Sequence, residues 1–557
     1  MSLSTTSSPA RLAAASPATR AWPLLAALGL HLALAGLLLR AALAQTGGHL
    51  IYGLDDAYIH LAIAKHLALN GVWGATPYEF SSSSSSPLWT ALLAGSMALF
   101  GPNTAGPLLL NLGLSTLLLL WLHQAQTARG LPPWHTFLTL AAVLVLAPIP
   151  PLVFSGMEHV LQILVVLVFV DQALRTMADR ADARARWLAL LLAPLLTLTR
   201  YEGLFVALPV CLLLLGQRRV RQAVALGILA LLPVVVYGLI SWSHGWYLLP
   251  NSVLLKGSAS QLSLAQALRL LAGLPALQNL LASPHLVILL ALALLAQAGP
   301  RVGLAPLPAE GRRALWLFVA ITLLHLDFAA VGWFFRYEAY LVALGLVLLS
   351  RFLRLAGRGA NEPGPSRDRR RPLRVAPAVI LGFAVLILPL RATVALWETP
   401  IAAHNIFEQQ YQMARFIQRF YAGRAIAAND IGLIDYLADV RCLDLVGLGS
   451  LEVAQLRRED RLNAETIRAA SQMRGVQVAL LYDQWFTRDG ASLLPPEWTR
   501  VGQWRIRDNV VEGGSVVAFY AVDPAERAAL AEHLRQFAPE LPDSVEQSGA
   551  YLEGMPG

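Results

Sequence analysis

"WPLLAALGLHLALAGLLLRAALA", residues 22–44, decides the fold class. His31 and Arg40 are its only ionisable residues. About 20 such residues cross the hydrocarbon core of a bilayer. The run is longer than the apolar core of a secretion signal, so although "ALAQ" (42–45) mimics a cleavage site, it reads as a retained membrane helix. Comparable runs recur as far as Val394. They predict spans over 22–44, 105–126, 135–153, 158–175, 187–199, 202–217, 222–241, 284–298, 312–331, 335–351 and 375–394. The runs are continuous and do not alternate, which selects helices over a barrel. Composition agrees: 14% of the 557 residues are charged and 56% are hydrophobic, against about 25% charged in soluble domains. The chain reads as a polytopic α-helical membrane protein of about eleven spans.

The net charge of +8 would raise nucleic acid as a partner in a soluble protein. Here the arginines gather in short connections and report topology instead. "RTMADRADARAR" (175–186), "GQRRVRQ" (216–222) and the segment 351–374 are Arg-rich, and "ARG" (128–130) and "EGRR" (310–313) fall on the same side. Placing them in the cytoplasm puts the N-terminus there too. Residues 1–20 read as a disordered cytoplasmic tail. Residues 21–395 form the membrane domain, with a first outer loop over 45–87. The apolar stretch 87–101 is too short for a span whose addition would invert the arginines, so it reads as a surface or re-entrant helix or part of a kinked span. "SSSSSS" (81–86) reads as a flexible, solvated connector. From 396 to 557 charges spread throughout, "GRAIAAND" and "VQVALLYD" read as buried strands, and "FEQQYQMARFIQRFY" and "PAERAALAEHLRQF" as amphipathic helices. That is a C-terminal α/β domain on the extracytoplasmic side. Cys211 and Cys442 lie far apart and exclude a disulfide framework or cysteine metal site.

In this topology five polar interruptions emerge on the outer face: Asp55–Asp56, "SGMEH" (155–159), "LTRYEG" (198–203), "PNSVLLKG" (250–257) and "FFRYEAY" (334–340). Ionisable groups beside hydrocarbon are costly, and a functional site is the default expectation for them. Bland readings stand beside it. Arg200 with Glu202, and Arg336 with Glu338, suit interfacial ion pairs that anchor helix ends. Lys256 suits a solvated loop, and Asp55 a helix N-cap. A cap needs no second aspartate, and two adjacent carboxylates repel. His60 and His66 are six residues apart, off one helical face, and read as interfacial. Trp73, Trp89, Trp242 and Trp246 suit the membrane-interface belt.

"DDAYIHLAIAKHLALNGVWG" (55–74) followed by "SSSPLW" (84–89) resembles the first outer loop of GT-C membrane glycosyltransferases, of the arabinofuranosyltransferase-like and protein-mannosyltransferase-like (family 39) branches. "SGMEH", "LTRYEG", "NSVLLKG" and "FRYE" resemble the later motifs of that group, and "ANDIGLIDYLADVRCLDLVGL" (428–448) its tail segment. The resemblance covers residues 22–450. It implies a hexosyl- or pentosyltransferase of the bacterial cytoplasmic (inner) membrane. The donor is a polyprenyl-phosphate sugar, and the acceptor is a glycan, lipid or protein of the cell envelope. The match to the family's catalytic base is Asp55 or Asp56, with Asp55 favoured by alignment to an Asp-Glu pair. Many relatives carry an Arg in the following helix, where this chain has Ala62, with Lys65 one turn on. Arg336, Lys256 and Arg200, in that order, are the candidates to meet the leaving phosphate, with His159 and Glu202 beside the substrate. Glu158 would assist the base or, with Asp55 and Asp56, hold a divalent cation (Mg or Mn), which stays open as a cofactor. The rival is a transporter or flippase of a lipid-linked or anionic solute. Against it, the charges gather on one face and no inverted repeat is visible. A non-catalytic envelope scaffold leaves the paired aspartates unexplained.

Overall fold

The computed structural model describes residues 17–178, 182–251, 254, 273–302, 306–359, 371–488 and 490–553. Every predicted span is helical. The helices are α1 (Pro17–Gln45), α2 (Asp55–Asn70), α3 (Pro87–Phe100), α4 (Gly106–Ala128), α5 (Pro133–Leu146), α6 (Ile149–Phe154), α7 (His159–Thr176), α8 (Ala183–Thr199), α9 (Gly203–Gly216), α10 (Val220–Ser243), α11 (Leu274–Leu281), α12 (Pro284–Ala298), α13 (Ala309–Phe328), α14 (Ala339–Gly359) and α15 (Arg371–Ile406). The run 135–153 breaks into α5 and α6 at Pro148, because Pro150 and Pro151 follow and a proline donates no hydrogen bond to the preceding turn. By length and composition, five of the described helices can cross a membrane: α1, α4, α7, α10 and the stretch Val379–Phe420. A sixth is the bent pair α11–α12, whose axes turn by 106°. Shorter apolar helices, among them α3, α5 and α9, accompany them.

α3 occupies the ambiguous stretch. Its 14 residues reach about 21 Å, less than the roughly 30 Å of a bilayer core. Ser86 caps it by accepting from the Trp89 amide, and Pro87 takes the first turn, where its missing N–H costs nothing. The serine run before it corrects the expectation of a solvated connector. Ser81, Ser82, Ser83, Ser84 and Ser86 are buried. Ser82 bonds Ser241 of α10 (3.0 Å), Ser83 donates to the Leu448 carbonyl (2.8 Å), and Ser84 bonds Thr90 of α3 (3.0 Å). Small hydroxyl side chains let this irregular backbone be buried with its polar groups satisfied.

After α15 the chain continues without a break through a π-helical turn (Phe407–Tyr411) into α16 (Gln412–Phe420). The C-terminal region holds β1 (Ala425–Ala428), α17 (Gly432–Leu437), β2 (Arg441–Asp444), α18 (Leu451–Arg458), α19 (Ala464–Arg474), β3 (Val478–Leu481), a small hairpin of β4 (Thr487–Arg488) and β5 (Ala491–Ser492), β6 (Thr499–Arg505), β7 (Val516–Ala521), α20 (Arg527–Phe537) and β8 (Glu546–Ser548). Six strands form one sheet in the order β2-β1-β3-β7-β6-β8. β2, β1 and β3 are parallel, and β7 joins β3 antiparallel. The expected strands are β1 and β3, both buried along their whole length as parallel strands covered on both faces are. Alternate residues serve the two faces: Ile426, Val478 and Leu480 join the core continuous with the membrane helices, while Ala427, Ala479 and Leu481 pack in a second cluster with Ile467 and Phe486.

Candidate functional site

The start of α2 is fixed from three sides. Tyr58 accepts from the Tyr52 amide (3.0 Å), and the Tyr52 hydroxyl accepts from the Leu108 amide of α4 (3.0 Å). Gly156 of "SGMEH" lies against Tyr52 and Ala57 in a left-handed conformation (φ 69°), where a Cβ would stand 2.8 Å from the Tyr52 ring. Only glycine lets the two segments approach this closely. Trp89 then donates to the Gly156 carbonyl (3.2 Å).

The two aspartates diverge. Asp55 accepts from the amides of Gly432 (2.8 Å) and Leu433 (2.9 Å), at the start of α17 in the tail segment. A Cβ on Gly432 would collide with the Asp55 carboxylate, so glycine is required there too. Burial and the neighbouring Asp430 carboxylate push Asp55 up to about 8, against the pull of those two amides. Asp56 pairs instead with Arg336 (Nη2–Oδ2 2.5 Å). The Arg336 guanidinium is buried, lies 4.9 Å from the Tyr337 ring centre, and its Nε and Nη1 have no hydrogen-bond partner among the described residues.

Arg200 links the neighbouring motifs. It donates to the fully buried Glu158 (2.5 Å) and to Glu202 (2.7 Å), so the expected Arg200–Glu202 pair forms with Glu158 added. The Arg200 guanidinium lies 5.7 Å from the Tyr337 ring centre, so both arginines gather about one aromatic side chain. His159 meets the same ring edge-on at 6.4 Å. His60 binds Thr90 (2.7 Å) and Ser85 (3.2 Å) and stands 3.8 Å from Glu158, while His66 bonds the Gly74 carbonyl (3.1 Å). Lys65 donates to the Tyr436 carbonyl (2.6 Å) and so serves the tail segment. Lys256 lies outside the described residues.

The bland reading of Arg336 and Glu338 as an ion pair does not hold, because Arg336 pairs with Asp56 and Glu338 with Arg391. Four successive residues, Gly332 to Phe335, take positive φ (80°, 38°, 58° and 61°). A left-handed turn of this kind costs L-residues about 1–2 kcal/mol each. Glu338 holds it by accepting from the Gly332 amide (2.8 Å). Arg391 of α15 donates to the Phe335 carbonyl (3.0 Å) and to Glu338 (2.7 Å), and His285 of α12 stands 3.2 Å from Glu338. Glu338 thus clamps the turn that presents Arg336. Arg391 and His285 were missed from the sequence, although Arg391 is a lone charge in an apolar run and for that reason legible.

Asp55, Asp56 and Glu158 have separate partners: backbone amides, Arg336 and Arg200. They do not converge as a ligand set, and no group of three His, Cys, Asp or Glu among the described residues fits a metal ion.

The Arg-rich connections meet at the other end of α7, whose 18 residues separate its ends by about 27 Å. There Asp171 takes Arg129, Arg175 (2.9 Å) and Arg351 (3.1 Å), and Arg313 donates to the Met177 carbonyl (2.7 Å).

This architecture is similar to that of ArnT from Cupriavidus metallidurans in the apo state, which aligns with a TM-score of 0.50 over 90% of this chain and 99% of that one at 14% identity. The chain has a GT-C fold. ArnT bound to undecaprenyl phosphate aligns at 0.49 (12% identity, 89% of this chain and 98% of that one). The oligosaccharyltransferase AglB from Archaeoglobus fulgidus, in complex with an inhibitory peptide and a dolichol-phosphate, aligns at 0.43 (11% identity, 89% and 74%). A family model described as "Domain of unknown function (DUF8728)" matches residues 404–520, which run from the end of α15 to β7. No curated protein sequence matches.

Proposed function

We propose that this protein is a GT-C glycosyltransferase that moves a sugar from a polyprenyl-phosphate donor to a cell-envelope glycan, lipid or protein, at the outer face of a bacterial cytoplasmic membrane. The observation that carries the reading is the cluster at one end of α7. It sets Asp56 of the first loop against a buried guanidinium that has two N–H-bearing nitrogens without an acceptor among the described residues, while the adjacent Asp55 faces the tail segment. A guanidinium in that state fits a phosphate, which it binds with paired, charge-assisted hydrogen bonds. ArnT, whose apo structure has this fold, has also been solved with undecaprenyl phosphate, which supports a lipid phosphate as the group that Arg336 meets.

In this reading an acceptor hydroxyl attacks the anomeric carbon. The new bond joins the acceptor oxygen to that carbon, the bond from carbon to phosphate oxygen breaks, and polyprenyl phosphate leaves with the electron pair. Asp55 takes the hydroxyl proton. Its raised proton affinity suits a general base near neutral pH, a role that contributes roughly 10²- to 10⁴-fold. Asp56 fixes Arg336, which stabilises the charge developing on the leaving phosphate. Glu158, Arg200 and Glu202 hold the Tyr337 side of the site rigid. The C-terminal domain, over 396–557, stands on the same outer side.

Incubation of the purified protein with a panel of polyprenyl-phosphate sugars tests the proposal. Free polyprenyl phosphate should appear with at least one donor and fail to appear with Asp55→Asn. A transporter or scaffold would release none, and absence of release across the panel overturns the reading.

A further inference from the structure

We propose that the carboxyl edge of the C-terminal sheet completes the site with a subsite for the hydroxyl groups of an uncharged sugar ring, made by Asp430 with Gln409, Gln410, Tyr482 and Glu512 behind it. The proposal rests on the glycosyltransferase reading above and adds to it where the sugar is recognised.

Topology supplies the place. The parallel strands β1 and β3 run into Asn429–Asp430 and Tyr482 at their carboxyl ends, next to the point where β7 reverses the strand direction. By analogy with other α/β sheets, ligands lie outside that edge. Here the edge is pressed against α2: Gly432 and Leu433, two and three residues beyond Asp430, hold Asp55, and the Asp430 charge is close enough to act on it. Asp55, Asp56 and Asp430 are the partly buried members of the junction, whereas Gln409, Gln410, Tyr482 and Glu512 are buried behind them.

Hydrogen-bond accounting supplies the ligand class. The Gln410 amide nitrogen faces three oxygens, Asp430 (2.9 Å), Tyr482 (2.9 Å) and Glu512, with two hydrogens to give. The Tyr482 hydroxyl, with one hydrogen, stands 2.7 Å from Asp430 and 2.6 Å from Gln409 Oε1. Among the described residues the network leaves acceptors and a donor unmatched: Glu512 Oε1 and Gln410 Oε1 are buried without a partner, and so is one donor, Gln409 Nε2. A group that both donates and accepts meets both deficits, and a sugar hydroxyl is such a group. A metal ion would meet only the oxygens and would face the Gln409 N–H. Gln409 and Gln410 are adjacent and both enter the network because the π-helical turn Phe407–Tyr411 interrupts the regular helix there, a distortion that recurs at functional sites.

The test uses the full-length protein in lipid nanodiscs. Wild type and Asp430→Asn are titrated with bare polyprenyl phosphate and with the sugar-bearing lipid that supports turnover, and saturation-transfer NMR is recorded with arabinose, mannose, glucose and a glucosamine control. Asp430→Asn should bind bare polyprenyl phosphate as wild type does and bind a sugar ligand about tenfold or more weakly. Weakening confined to the sugar-bearing lipid assigns the subsite to the donor sugar. Weakening confined to a free monosaccharide assigns it to the acceptor, and both sustain the proposal. If Asp430→Asn fails to fold, the wild-type spectra and the Gln410→Glu variant decide by the same readings. Saturation transfer to no neutral sugar, to glucosamine alone, or equal sugar binding by wild type and variant overturns the subsite. Failure of wild type to bind bare polyprenyl phosphate overturns instead the function on which it rests.

Discussion

Arg336→Lys tests the phosphate assignment most directly. The guanidinium uses Nη2 for Asp56 at 2.5 Å, lies 4.9 Å from the Tyr337 ring centre and leaves Nε and Nη1 for another partner. A lysine keeps the charge but concentrates it at one point, so it serves either Asp56 or the phosphate and loses the planar stacking. Losing one charge-assisted hydrogen bond costs about 1.5–3 kcal/mol, which is roughly 10- to 100-fold in kcat/KM for lipid-phosphate release. A cycle with Asp56→Asn separates two roles. If Arg336 acts only through Asp56, the double variant is no worse than the worse single one. If it also meets the phosphate, the double variant falls below both, and that is the expected result. Glu338 is not the partner for this cycle, because its carboxylate is taken by Gly332, Arg391 and His285. A kcat/KM for Arg336→Lys within about twofold of wild type refutes the assignment and returns the role to Arg200 or Lys256.

Four further outcomes are expected. Asp55 titrates at about 8, so the ionised base accumulates only as pH rises: kcat/KM should climb through that value and level off above it, and Asp430→Asn, by removing a charge that raises Asp55, should shift the inflection to lower pH. Because the folded chain keeps a proton that the unfolded chain has lost from about pH 4 upward, this group's stabilising contribution is present below that pH and is lost as pH rises toward about 8, which thermal unfolding across pH reads with Asp55→Asn as the reference. Arg200→Met strands buried Glu158 and the neighbouring Glu202 without their cation and should cost about 3–5 kcal/mol of stability, seen as a lower unfolding temperature in detergent. Asp171→Asn leaves Arg129, Arg175 and Arg351 facing one another at the far end of α7, so it should lower thermal stability while donor KM stays at its wild-type value.

How much was legible follows from how local each signal is. Apolar length and arginine placement are properties of short windows, so all the predicted spans are helices and the Arg-rich connections meet at one end of α7. The polar motifs were legible as a set for the same reason. Their partners were not. Arg336 and Glu338 looked like a pair because they are two residues apart, but the left-handed turn through Trp333, Phe334 and Phe335 turns them to different neighbours, and no residue type except Gly332 announces it. Ser81–Ser86 looked solvated because serine is polar, yet what buries it is Ser241 on α10 and Leu448 in the tail, 159 and 365 residues from their serine partners. Gln409 and Gln410 looked like the polar face of a helix, and only the π-helical turn brings both inward.

The same comparison separates residues that react from residues that hold. Gly156 and Gly432 exist to let backbones touch Tyr52 and Asp55, and Glu338 exists to keep a costly turn closed through the Gly332 amide and Arg391. Left-handed strain at Trp333, Phe334 and Phe335 must be offset by those contacts, since nothing in their side chains favours it. What the strain achieves is the placement of one buried guanidinium, already bound to Asp56 on one side, with its Nε and Nη1 unsatisfied among the described residues. An unsatisfied buried donor is itself destabilising by about 1–3 kcal/mol. A chain that carries both costs within residues 333–336, beside an aspartate that a helix cap does not require, gives up stability where an anionic ligand would restore it. That is the physical ground for placing the leaving phosphate at Arg336 and the proton transfer at Asp55, on opposite sides of the short step from residue 55 to residue 56.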